Sequence, residues 1–248
     1  MTSWRVAVSS HVGKVRDANE DAYATSDTVV VVADGMGGHA AGEVASAIAI
    51  ETFPAAVAAA GEFSRLADAV AQSNQAILDD ATTNPSRRGM GTTLVSLALV
   101  PRGDATGVAL VNVGDSRCYQ VRKGHIRQLS HDHSWAEEMV RRGSLTPDEA
   151  ILDPRRHQLT RVLGMDEGFT PDVTWVDVEV GDRYVLCSDG LSNEVRNQEI
   201  GSVVTGAPTL EAACDELIRR ALDAGGRDNV TVALIEIVTA DEITPEPA

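Results

Sequence analysis

"VVVVADGMGG", Val29 to Gly38, runs four valines and an alanine straight into an aspartate and a glycine-rich turn. Valine is what a buried strand uses, because its β-branch packs well on a pleated surface. Asp34 at the end of that run is a charge that is costly to bury unless something compensates it. The continuation "HAAGEVASAIAI", 39–50, reads as the entry to a helix.

Working outward, the same construction recurs. "VLCSDG" ends in Asp189-Gly190, "LVNVGDS" ends in Gly114-Asp115, and "GGRDNVTVALIEI" places Asp228 just before an apolar run. Near the start, "VRDANED" supplies Arg16, Glu20 and Asp21. Each motif alone has a bland reading: Asp-Gly after a strand is most often a turn, and "NED" is ordinary solvated loop. Together they put several carboxylates at the edges of β-type runs. Carboxylates gathered at one sheet edge repel each other, and burial strengthens the repulsion. A divalent cation relieves it, and an all-oxygen donor set selects Mg2+, Mn2+ or Ca2+ over zinc. Glycine beside a ligand leaves room for a backbone carbonyl to join the set.

Nine β-type runs frame the chain, at 4–10, 28–33, 92–100, 106–113, 116–123, 125–130, 173–180, 183–188 and 229–238. The short links "VGD", "KG" and "GD" between neighbours predict an antiparallel meander. Two helices are expected between the second and third runs, about 40–60 and 64–80. Pro54 should break or bend the first, and a third helix is expected at 210–223. Strands in a meander with helices in pairs predict an α+β fold, a sheet-on-sheet core covered by helices. Residues 131–170 are charged and read as an insertion over the sheet edge. The acidic "TADEITPEPA" reads as a disordered tail.

A formal net charge of -16 disfavours nucleic acid and anionic membrane as partners. Cys118, Cys187 and Cys214 form no CxxC pair, which points to buried thiols in a reducing compartment. No signal peptide and no run of eighteen uninterrupted apolar residues is evident, so a cytoplasmic chain without a membrane span is expected.

The ordered set "VRDANED", "VVVVADGMGGHAAGE", "GMGTTLVSLAL", "LVNVGDSRCYQVRKGHIRQLSHDHS", "LTRVLG", "VLCSDGLSN" and "GGRDNVTVALI" resembles the metal-dependent protein phosphatases, the PPM or type-2C Ser/Thr family, in its bacterial form. The likeness runs from about Trp4 to Val238. It implies a four-layer α-β-β-α sandwich, two antiparallel sheets flanked by helix pairs, with a metal cluster at one edge. The catalytic domain would span 1–238 with a flap at about 131–170, and 239–248 would be the tail.

By the same resemblance, Asp34 matches the carboxylate bridging two Mn2+ or Mg2+ ions, and Gly35 matches the residue giving a backbone carbonyl. Asp189 and Asp228 match the remaining ligands of the first metal. Glu20 and Asp21 match the acids holding the second metal's waters, and Asp115 with Asp189 matches a third metal site. Arg16 matches the arginine that clamps the substrate phosphate. The implied reaction is direct attack of a metal-bridging water or hydroxide on a phosphoserine or phosphothreonine ester, without a phosphoenzyme.

Met36 stands where many eukaryotic members carry a histidine that is a candidate general acid. Met36 cannot donate a proton, so a metal-bound water is the preferred donor; His39 is a candidate substitute whose plainer reading is packing or capping at a helix start. His157 falls where a flap residue could approach the third site, and a surface histidine is its plainer reading. Arg141, Arg142, Arg155 and Arg156 of the flap would guide phosphoprotein substrates. The implied partners are phosphorylated proteins, Ser/Thr kinases among them, acted on by a monomer. The competing readings are a catalytically silent regulator on the same fold and a hydrolase of small phosphoesters.

Overall fold

The computed structural model describes residues 2–37, 41–103, 105–165 and 168–239. The chain opens with β1 (Thr2–His11), β2 (Asp21–Thr25) and β3 (Val29–Met36), followed by α1 (Gly42–Ala60) and α2 (Leu66–Thr83). Next come β4 (Gly91–Thr92), β5 (Leu94–Arg102), β6 (Ala105–Val113), β7 (Arg117–Arg122) and β8 (His125–Gln128). Two short helices, α3 (Trp135–Arg141) and α4 (Pro147–Leu152), precede β9 (Asp172–Val176) and β10 (Arg183–Cys187). The chain then forms α5 (Asp189–Ser192), α6 (Asn197–Gly206), α7 (Leu210–Ala224) and β11 (Val230–Thr239).

The strands form two antiparallel sheets, one ordered β1-β11-β10-β7-β8 and the other β2-β3-β5-β6-β9 with β4 paired to β3. The valine run explains how they stack. Val29, Val31 and Ala33 join an apolar cluster with Ala45, Phe53, Leu66 and Ile77 of the first helix pair. Val30 and Val32 point the other way and meet Cys118, Tyr184, Leu186 and Ile235 of the opposite sheet. That alternation buries both faces of β3, as the period-two geometry of a strand requires. A third cluster packs Leu210, Cys214 and Leu217 of α7 on Val185, Val232 and Leu234. Two antiparallel sheets and the helices that pack on them thus share three apolar clusters, the α+β class expected.

Several local expectations need correction. The "KG" link at 123–124 closes a hairpin, β7 to β8, and β5 and β6 pair antiparallel to Arg102 opposite Ala105. "VGD" at 113–115 and the "GD" at 181–182 carry the chain from one sheet to the other, since β6 and β7 lie in different sheets, as do β9 and β10. A Gly-Asp turn reverses the chain equally well in either setting. Asp34, Gly35 and Met36 do not form a turn after the strand; they are its last residues. Strand β2 and helices α5 and α6 were not anticipated. Helix α1 runs through Pro54 unbroken, although a proline there removes one intrahelical hydrogen bond.

By length and a mean hydropathy of 1.4, α1 has the composition of a membrane span. Its Ala45, Ala49, Phe53, Ala56 and Val57 are instead buried in the core against β3 and α2. Residues 131–170 carry the two short helices α3 and α4, and α4 opens on a Thr146–Glu149 capping box. His39 and residues 240–248 of the tail lie outside the described residues.

Candidate active site

The register of β2 against β3 sets Asp21 directly opposite Asp34. Asp34 is fixed by its backbone: its N–H donates to Thr93 Oγ1 (3.0 Å), and its carbonyl accepts from Thr93 N–H (2.9 Å) and Thr92 Oγ1 (2.9 Å). Thr93 Oγ1 also hydrogen-bonds Ser116 Oγ at 2.7 Å. The hydroxyl thus ties β3 to the link that carries Asp115.

Gly35 is required by close packing. A Cβ there would stand 2.2 Å from the Gly42 carbonyl oxygen and 2.5 Å from that of Glu20. The glycine therefore admits two neighbouring backbones, a reason beyond the freedom of its own carbonyl. Glu20 is braced from the far sheet, because its N–H donates to Asn229 Oδ1 (2.8 Å) while its carbonyl accepts from Gly35 N–H and Ser46 Oγ.

The remaining acids arrive from the other sheet and its links. Asp189 opens α5 just past the end of β10, and its Oδ2 accepts from Asn193 Nδ2 at 3.0 Å. Ser188 Oγ donates to Asp21 Oδ2 at 2.7 Å, joining the two sheets. Asp228 precedes β11 by one residue, Asn229, and its Oδ2 accepts from Arg16 at 2.7 Å. The sequence-predicted acids Glu20, Asp21, Asp34, Asp115, Asp189 and Asp228 and the guanidinium of Arg16 are thus brought to one region.

Two adjoining clefts meet there. The smaller, of about 420 Å³, is lined by Arg16, Glu20, Asp34, Gly35, Met36 and Asp115 among others. The larger, of about 1020 Å³, runs under the flap helices past Val140, Ala150, Ile151 and Arg156. Asp115, His157, Asp189 and Asp228 line both. Of the four flap arginines, Arg156 lines the larger of these two clefts, and the other three line neither. Arg155 stacks over the Trp135 ring at 3.5 Å and pairs with Asp153, and Arg142 pairs with Glu138.

The acids raise one another's pKa. Burial pushes Asp21 and Asp115 up to about 7 and Asp189 up to about 6, each helped by neighbouring carboxylates. Asp34 is held well above the usual carboxylate range, by burial first and then by Asp21, Asp189, Asp115 and Asp228. Burial also raises Glu20, while Arg16 opposes that rise. The oxygens Asp21 Oδ1 and Asp189 Oδ1 are buried with no hydrogen-bond partner. Mutual repulsion plus orphaned carboxylate oxygens is what a donor set for hard divalent cations looks like without its counter-charge. Among the described residues, no three His, Cys, Asp or Glu side chains close around a single ion unaided. The all-oxygen donors and the orphaned oxygens of Asp21 and Asp189 fit Mn2+ or Mg2+, which complete their shells with carbonyl oxygens and water.

Sequence reasoning missed the supports of this cluster: Thr93, Ser188, Asn193 and Asn229. Asn229 alone spans Glu20 N–H, the carbonyls of Val12 and Ala18, and the Asp228 side chain. Its neighbourhood in "GGRDNV" was in view, but nothing in the spacing pairs it with residues 12–20.

Two antiparallel sheets between helix pairs, with an acid-lined cleft where the strands end, define the architecture of the α+β metal-dependent phosphatases. A family model described as Protein phosphatase 2C matches residues 10–234, and the chain belongs to that family. It is 38% identical over 250 residues to the serine/threonine protein phosphatase PstP of Mycobacterium tuberculosis, covering 98% of this chain and 47% of PstP. The chain thus spans about half the length of that relative. It is 36% identical over 236 residues to the serine/threonine phosphatase stp of Listeria monocytogenes, covering 90% of this chain and 92% of that one. A crystal structure of the PstP catalytic domain in complex with two manganese ions superposes with a TM-score of 0.85 at 35% identity, covering 96% of this chain and 100% of that one.

Proposed function

We propose that this chain is a Mn2+- or Mg2+-dependent phosphoserine/phosphothreonine protein phosphatase. The observation that carries the reading is the convergence of Glu20, Asp34, Asp115, Asp189 and Asp228 on one cleft, with Asp21 paired opposite Asp34. Burial raises the pKa values of Asp21, Asp34, Asp115 and Asp189, and one oxygen each of Asp21 and Asp189 is orphaned. Asp34, Gly35, Asp189 and Asp228 would hold two ions, Glu20 and Asp21 would hold the second ion's waters, and Asp115 with Asp189 would hold a third. Bound there, the ions supply an acidified water and offset the negative charge that builds on the phosphoryl group.

The chain's own residues do the rest. Arg16 orients the phosphoryl oxygens by charge-assisted hydrogen bonds, as guanidinium does for oxyanions. Met36 lines the smaller cleft and has no proton to give, so solvent in the cleft protonates the leaving serine or threonine oxygen. His157 lines both clefts and takes a minor role at their junction, with burial and then Arg156 drawing its pKa down. His39 keeps the minor role assigned to it by position.

Residues 1–238 form one catalytic domain with 131–170 as its flap. Phosphorylated proteins are the substrate class, a reading supported by the likeness to serine/threonine phosphatases; bacterial Ser/Thr kinases are proposed among them. The chain acts as a monomer in the cytoplasm; the three free, buried cysteines fit a reducing compartment.

Hydrolysis of phosphothreonine and phosphoserine peptides beside p-nitrophenyl phosphate, each with Mn2+, tests the reading. The expected result is metal-dependent hydrolysis of both classes. Turnover of the aryl phosphate alone would favour a small-phosphoester hydrolase, and no turnover with any divalent metal would favour a silent regulator.

A further inference from the structure

His133 is fully buried yet has polar contacts at both ring nitrogens. Its Nδ1 accepts the Gly114 N–H at 3.2 Å, and its own N–H donates to the Gly114 carbonyl at 2.9 Å. Gly114 is thereby gripped through both backbone groups, one residue before Asp115. The grip is tight on the other side as well. Gly114 has φ +100°, and a Cβ on it would stand 2.6 Å from the Thr93 side chain.

An acceptor Nδ1 fixes the tautomer, because a neutral imidazole carries one proton and it must then sit on Nε2. Nε2 lies 3.3 Å from Asp172 Oδ2 and 3.2 Å from Arg161 Nη1. Two donors do not bond each other, so Nε2–H donates to Asp172. Arg161 spends its Nη1 on Asp172 Oδ1 and the Thr170 carbonyl, both at 3.0 Å. Asp172 is itself registered opposite Asn112 on β6, the strand that ends at Val113. Asn112 Nδ2 donates to the His131 carbonyl at 2.9 Å, closing the ring of contacts around this link.

We propose that His133, locked as the Nε2–H tautomer by the Gly114 N–H at Nδ1 and by Asp172 at Nε2, is a positioning residue that sets the backbone of Asp115 for cation binding. The proposal rests on the reading of Asp115 as a metal ligand. Partners that orient ligands from outside the coordination shell change metal affinity by roughly 10–100-fold when removed.

The first test needs no metal: nitrogen-15 NMR of the imidazoles in the wild-type chain. It should show His133 protonated on Nε2 with Nδ1 as acceptor; protonation on Nδ1 overturns the proposal. The second is calorimetric titration with Mn2+ of wild type, His133→Asn and His133→Gln, with melting curves alongside. Asn offers an oxygen where Nδ1 stood, whereas Gln reaches toward the Nε2 position. The expected result is affinity within about threefold of wild type for Asn and about tenfold or more weaker for Gln, at similar melting midpoints. Equal effects of Asn and Gln overturn the positioning role while leaving the phosphatase reading intact. A wild-type chain that binds no Mn2+ overturns both.

Discussion

Asp21 and Asp34 face each other directly across the antiparallel pairing of β2 and β3. Like charges so placed destabilise a sheet, so the pair needs either protons or cations. A carboxylate whose pKa is raised by folding binds more protons in the folded than in the unfolded chain. Its contribution is present at low pH and is lost as pH climbs from 3.8 through about 7 for Asp21 and Asp115 and through about 6 for Asp189. His133 and His157, with lowered pKa values, act in the opposite direction, but two imidazoles stand against five raised carboxylates, Asp34 and Glu20 included. The metal-free chain should therefore melt several degrees lower at pH 8 than at pH 5. Saturating Mn2+ at pH 8 should raise the midpoint by about 5 °C or more. Calorimetric melts across that range, with and without Mn2+, check both signs.

Arg16 contacts Asp228 at 2.7 Å, with side-chain exposures of 51% and 37%. An ion pair that exposed contributes little to stability, so Arg16→Ala should leave the melting midpoint nearly unchanged. If the guanidinium instead orients phosphate, kcat/KM for p-nitrophenyl phosphate should fall about ten- to hundredfold, the loss of one charge-assisted contact. Arg16→Lys should recover part of it, since an ammonium supplies charge without the planar fork. Steady-state kinetics and melts on both variants separate the two effects.

Thr93 Oγ1 serves Asp34 N–H and Ser116 Oγ at once and is almost fully buried. Thr93→Val preserves shape but strands the Asp34 N–H, which should cost about 1–3 kcal/mol. Thr93→Ser should cost less, because the hydroxyl remains. Denaturant unfolding of the two variants measures the difference.

Two glycines give opposite expectations. A Cβ on Gly190 would stand 2.0 Å from the Asn229 carbonyl, so Gly190→Ala should lower the midpoint sharply or prevent folding. Gly206, at the end of α6, has nothing within 4 Å of such a Cβ, and Gly206→Ala should stabilise by up to about 1 kcal/mol. Melting curves of the pair test whether backbone crowding holds the acid-bearing loops together.

The central strand was legible because Val29 to Val32 are apolar on both faces, and both faces prove buried. The carboxylates were legible because each ends or precedes an apolar run. Strand β2 was not, since "DAYAT" at an edge has no fully buried position to mark it. Helix α6 lay hidden in "NQEIGSVVTG", whose polar first turn reads as loop. The supports of the site were invisible for a different reason. Asn229 and Glu20 are 209 residues apart and Ser188 and Asp21 are 167 apart, and no local pattern connects an asparagine or a serine to so distant an acid.

The central claim is that Asp34 anchors a divalent-cation cluster that hydrolyses phosphate monoesters. The most direct measurement is p-nitrophenyl phosphate hydrolysis by wild type and Asp34→Asn, with Mn2+, after EDTA, and after Mn2+ is restored. The account predicts wild-type activity that disappears with EDTA and returns with Mn2+, and an Asp34→Asn variant near background throughout. Wild-type activity that survives chelation, or an Asp34→Asn variant as active as wild type, would contradict it.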